Sequence, residues 1–143
     1  MRRLIAVALS AVALVTLVGL THTGVRAAQR RCAPGKTCSC TGSKGCSWSC
    51  VGKGCTFSIT GSGGSAIFCK KGGCTVNKTG SGPAKIVCEG GGCKVSSMGS
   101  GTTLLDCPGK GCSMSCTGTG KCILVGCKDC KQSCIGSVKC SKQ

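Results

Sequence analysis

From about residue 50 to residue 125 the apolar positions recur on one beat. Phe57, Val76, Val95 and Met114 stand 19 residues apart, and Ile67, Ile86, Leu105 and Leu124 repeat the same spacing in the opposite half of each unit. Two short segments per repeat are separated by two kinds of glycine turn. One kind is Gly61-Ser62-Gly63, Gly80-Ser81-Gly82, Gly99-Ser100-Gly101 and Gly118-Thr119-Gly120. The other is held between cysteines: Val51-Gly52-Lys53-Gly54, Lys70-Lys71-Gly72-Gly73, Glu89-Gly90-Gly91-Gly92 and Pro108-Gly109-Lys110-Gly111. Short β-type segments joined by turns that tolerate positive φ predict coils of a solenoid, with one apolar ladder on each side of a thin core. A helical reading fails, because glycine recurs every few residues and no 3.6-residue period survives.

The cysteines share the beat. Cys50, Cys69, Cys88 and Cys107 are spaced by 19 residues, as are Cys55, Cys74, Cys93 and Cys112. A five-residue offset across a tight glycine turn brings two cysteines within bridging reach. The expected pairs are therefore Cys50 with Cys55, Cys69 with Cys74, Cys88 with Cys93 and Cys107 with Cys112. Shortened relatives of the unit flank this array, in Cys46-Ser47-Trp48-Ser49-Cys50 and Cys130-Lys131-Gln132-Ser133-Cys134. There the second glycine turn also carries cysteines, as in Cys40 to Cys46 and Cys116 to Cys122, where end coils need extra staples. The expected fold is all-β, a narrow disulfide-stapled β-solenoid with 19-residue coils. A chain of two or three tandem mini-domains is the alternative.

Composition explains why staples are needed. The 143 residues include 18 cysteines and 25 glycines but no tyrosine, and the large aromatic residues are Trp48, Phe57 and Phe68. So few bulky groups cannot build a conventional layered core, so cystine supplies both cross-links and apolar interior. The chain opens with Arg2 and Arg3, continues through an apolar run from Leu4 to Leu20, and reaches Val25-Arg26-Ala27. This has the form of a secretory signal peptide cleaved after Ala27, with an uncleaved membrane anchor as the competing reading. No later stretch is apolar enough to span a bilayer. The predicted organisation is a signal peptide at 1–27, a basic leader and N-terminal cap at 28–39, solenoid repeats at 40–127, and a cysteine-rich C-terminal cap and tail at 128–143. The expected location is secreted or extracytoplasmic, where disulfides persist.

In style, the Cys-rich coils joined by Gly-Ser and Gly-Lys turns resemble the disulfide-stapled β-solenoids of small secreted proteins, the insect antifreeze proteins among them. The resemblance covers residues 40–127 and rests on cysteine, glycine and period. The sequence departs from the antifreeze pattern in repeat length and in the ice-facing Thr-x-Thr row. The corresponding segments read Thr56-Phe57-Ser58, Thr75-Val76-Asn77, Lys94-Val95-Ser96 and Ser113-Met114-Ser115.

Charge and chemistry narrow the function classes. The one histidine, His22, lies in the signal segment, so the exported chain has no imidazole base, and the acidic residues are Glu89, Asp106 and Asp129. A Glu89–Asp106 carboxylate pair is the one catalytic combination available, and it reads more simply as surface charge. The protein is expected not to be an enzyme, and no cofactor or metal is expected. Cys127-Lys128-Asp129-Cys130 has the spacing of a redox pair or half a zinc site, but a structural disulfide is the simpler assignment. Asn77-Lys78-Thr79 is a glycosylation sequon in form. Lysine and arginine number 19 against three acids, a net charge of +16. With Lys53, Lys70, Lys71 and Lys110 on the recurrent cysteine turn, stacked coils would align cations along one edge. Such an edge favours anionic polysaccharides or cell-envelope polymers, through a salt-sensitive term. Specific nucleic-acid recognition is not expected, since base stacking needs exposed aromatic groups. Two further functional readings are a secreted antimicrobial or toxin-like cation and an ice-binding or other flat-surface adsorber.

Overall fold

The structure, a computed structural model, describes residues 29–143. The segment expected as a signal peptide, 1–27, lies outside the described residues. Thirteen strands alternate between two parallel sheets. One sheet, A, has the order β1-β3-β5-β7-β9-β11-β13, and the other, B, has the order β12-β10-β8-β6-β4-β2. Sheet A comprises β1 (Arg30–Cys32), β3 (Cys46–Cys50), β5 (Ser65–Cys69), β7 (Ala84–Val87), β9 (Thr102–Asp106), β11 (Lys121–Val125) and β13 (Lys139–Lys142). Sheet B comprises β2 (Thr37–Thr41), β4 (Thr56–Thr60), β6 (Thr75–Thr79), β8 (Lys94–Gly99), β10 (Ser113–Gly118) and β12 (Lys131–Gly136). Each pass through one strand of B and one of A completes a coil. The protein is thus an all-β parallel solenoid of about six turns with coils of about 19 residues, as the beat of the apolar positions predicts.

The register is that of the repeat. Phe57 pairs with Val76, Val76 with Val95 and Val95 with Met114 along sheet B. Ile67, Ile86, Leu105 and Leu124 align along sheet A. All eight side chains are buried and face each other across the thin interior. Because side chains alternate faces along a strand, a second inward position follows two residues from the first. Its occupants are mixed: Ile59, Lys78, Ser97 and Cys116 on sheet B, and Ser65, Ala84, Thr103 and Cys122 on sheet A. The Ser97 and Thr103 hydroxyls satisfy each other at 2.8 Å.

Disulfides close this interior at its margins. Cys50–Cys55, Cys69–Cys74, Cys88–Cys93 and Cys107–Cys112 each span one cysteine turn, with Cα separations of 5.9, 6.3, 6.3 and 6.6 Å. At the opposite margin Cys40–Cys46, Cys116–Cys122 and Cys134–Cys140 replace the mixed pairs in the first coil and the last two. Cys32–Cys38 and Cys127–Cys130 complete the set. The wealth of disulfides fits an oxidising environment.

The solenoid runs further than residues 40–127 at both ends. β1 and β2 lie within the segment expected as leader, and β12 and β13 within the segment expected as cap and tail, all in register with their neighbours. Trp48 closes the first coil, with the Arg30 guanidinium 5.7 Å from its ring centroid. In the last cysteine turn, shorter than the others, Asp129 adopts φ 56°, in line with the positive-φ glycines Gly54, Gly73, Gly92 and Gly111 of the preceding turns.

Candidate functional site

The solenoid presents two edges of turns and two sheet faces, and their chemistry differs. At the cysteine-turn edge the turn residues include Lys36, Lys53, Lys70, Lys71, Lys110 and Lys128. All six are exposed. The acids among them are Glu89 and Asp129. On the opposite edge Lys44 is the charged residue of the turns between strands, which otherwise consist of glycine, serine, threonine, proline and valine.

The four lysines singled out from the sequence occupy this one edge without forming one column. With Cys50, Cys69, Cys88 and Cys107 as the origin of each turn, Lys53 and Lys110 hold the third place, Lys71 the second and Lys70 the first. Lys53 and Lys110 are three coils apart, roughly 14 Å at the usual strand spacing. Glycines 72 and 91 fill that place between them, and Glu89 follows Lys70 in the first place. Lys128 lies beside Lys110 through a parallel bridge and continues the edge into the last coil. The edge is therefore a band of staggered cations. Of the other lysines between turns, Lys85 and Lys94 are exposed on the two faces.

Lys78 is not part of this surface. It points inward between Ile59 and Ser97, is 2% exposed, and donates from Nζ to the carbonyl of Gly80 at 3.1 Å. Burial pushes its pKa down from 10.5. The sequence held the signal, since Lys78 follows the inward Val76 by two residues.

Sheet B turns three outward columns to solvent, perpendicular to the strands. The first runs Thr37, Thr56, Thr75, Lys94, Ser113, Lys131, and the second Ser39, Ser58, Asn77, Ser96, Ser115, Ser133. The third runs Thr41, Thr60, Thr79, Met98, Thr117, Ile135. Over the first three coils the face is a grid of neutral hydroxyls broken by one amide. Over the last three, cations enter the first column and apolar groups the third. A shallow trough of about 300 Å³ lies between the first two columns here, reaching from Thr75 to Ser133. Sheet A is the more apolar face. Ala66, Phe68, Val87, Leu104, Ile123 and Val125 alternate with the buried ladder and are half-buried, with Lys85 and Asp106 among them.

The one histidine of the chain is His22, so no histidine stands among the described residues to serve as a base. Glu89 is exposed in a turn, while Asp106 is on β9 in register with Val87. The Cys107, Cys112, Cys127 and Cys130 sulfurs lie within 4.8 Å of one another, as two stacked disulfides. Among the described residues, no helix is long and apolar enough to cross a membrane.

Fold and staples together define the class as a disulfide-stapled parallel β-solenoid. No family model, curated protein sequence or solved structure matches the chain.

Proposed function

We propose that this is an exported, non-enzymatic binding protein whose cysteine-turn edge contacts an anionic polysaccharide or cell-envelope polymer. The observation that carries the reading is the distribution of charge: six turn cations and two acids on one edge, against Lys44 on the turns of the other and Lys121 and Lys139 where β11 and β13 leave it. Lysine kept merely for solubility has no reason to favour one edge. The staples also hold the cationic turns in place before a ligand arrives, so less ordering entropy is lost on binding. A polyanion contacting several such lysines releases counterions, which makes affinity fall steeply with salt.

Retention on an immobilised teichoic acid or sulfated glycan tests this. Replacing Lys53, Lys70, Lys71 and Lys110 by glutamine should flatten the salt dependence by about three units of log–log slope. Replacing Lys44, Lys85, Lys121 and Lys139 removes the same charge elsewhere and should have a smaller effect. Equal losses would show that only net charge matters, and no retention at low salt would end the polymer reading.

One other reading has an observation of its own. The neutral grid of β2, β4 and β6 suits adsorption to a flat ordered surface such as ice. Ice crystals shaped by the protein, with the effect lost on Ser58→Lys, would favour it over polymer binding.

A further inference from the structure

The last three coils of sheet B combine three features that single lysines or serines lack. In the first column Lys94 and Lys131 flank Ser113 in strict register. In the third column Met98 and Ile135 flank Thr117 in the same way, and they are 53% and 60% exposed. Between them Ser96, Ser115 and Ser133 offer a hydroxyl at every coil. Both outer columns thus repeat every second coil, about 9.6 Å, while the hydroxyl column repeats at every coil, about 4.8 Å.

We infer that this face is a second binding site, for an alternating acidic glycan lying along the solenoid axis. The ligand's chemistry follows from the two periods. A polymer with hydroxyls on every sugar and a carboxylate on every second one places its charges at the Lys94 and Lys131 ammoniums. Its neutral sugars stand opposite Ser113. Met98 shares β8 with Lys94 and Ile135 shares β12 with Lys131, so the apolar column meets the same sugars as the cations and suits the C–H face of the acidic ring, which a phosphate chain does not have. A uniformly charged chain leaves a carboxylate opposite Ser113, where no cation meets it. The face therefore selects a repeating disaccharide of a uronic acid and a neutral sugar. The trough along the first two columns is open at the surface and follows the stacking direction, so a chain can enter sideways.

This inference rests on the polymer reading but uses a different surface, and the test separates the two. Hyaluronan oligosaccharides and polygalacturonate oligosaccharides of equal length serve as probes, titrated calorimetrically at fixed salt. Lys94→Gln with Lys131→Gln should weaken hyaluronan binding about tenfold, and Lys53→Gln with Lys110→Gln much less. Met98→Thr with Ile135→Thr leaves the charge unchanged and should weaken hyaluronan binding. Unchanged circular dichroism would certify each variant's fold. Equal losses from the two lysine pairs, or a wild type that prefers polygalacturonate, would overturn the site and leave the basic edge as the polymer contact. Absence of binding to every polyanion at low salt would remove both.

Discussion

At the scale of single residues, Lys78 carries the clearest energetic conflict in the protein. A buried ammonium with one carbonyl partner is poorly compensated, and burial accordingly lowers its pKa. In the folded state Lys78 gives up its proton more readily, whereas in the unfolded chain lysine keeps its proton to about pH 10.4. Between the lowered pKa and that value, unfolding takes up a proton, so this residue makes stability rise with pH. Lys78→Met should stabilise the protein by about 1 kcal/mol or more at pH 7. The gain should shrink as pH approaches 10.5, which paired thermal melts across pH will reveal. Gly80 presents the opposite case. Its φ is 131°, and a Cβ there would run into the carbonyl oxygen of Gly61 in the preceding coil. Gly35 also has positive φ, but a Cβ added there would meet nothing within 4 Å. Gly80→Ala is expected to cost well above the roughly 1–2 kcal/mol of the left-handed backbone that Gly35→Ala incurs, as denaturant titration would measure. The repeat made both positions visible in the sequence. Lysine's usual place at the surface hid Lys78, since parity alone put it inside and its chemistry argued the other way.

Among strands and turns, the cysteine turn is the unit that makes each coil independent. Cys88 and Cys93 are both buried at the core margin, and their bridge closes a loop of sequence separation 5. Replacing both by alanine should cost about 2 kcal/mol in loop entropy, plus a term for the emptied space, read from the shift in thermal midpoint. Central turns were legible because cysteine, glycine and apolar positions agreed on one period. The first coil was less legible, for a physical reason. Lys36 occupies the place that Cys55 holds in the next coil, so Cys32 bridges instead to Cys38, which has the inward position of Phe57. The last turn likewise loses a residue, and its strands read as tail. The surface columns of sheet B were half-visible: the hydroxyl row was plain in the sequence, but the second-coil rhythm of Lys94, Lys131, Met98 and Ile135 emerges only when the strands are stacked.

For the whole molecule, the open ends matter most. Parallel sheets that stop leave unpaired backbone edges able to accept another strand. Here β1 carries Arg30 and Arg31 at one end, while β12 and β13 carry Lys131, Lys139 and Lys142 at the other. Ends of like charge repel, which discourages head-to-tail stacking of a solenoid whose terminal coils are otherwise compatible with another coil. Reversing the C-terminal set, with Lys131→Glu, Lys139→Glu and Lys142→Glu, should produce concentration-dependent elongated oligomers in sedimentation velocity. A variant that stayed monomeric would show that shape and not charge caps the ends.

The order of the disulfides along the chain has a consequence for how the protein is made. The 18 cysteines are bonded in nine consecutive pairs, from Cys32–Cys38 to Cys134–Cys140. Were the chain threaded N-terminus first into an oxidising compartment, each thiol's partner would arrive immediately after it, before any competitor had emerged. Such an order of delivery would favour the native pairing among the vast number that 18 thiols allow.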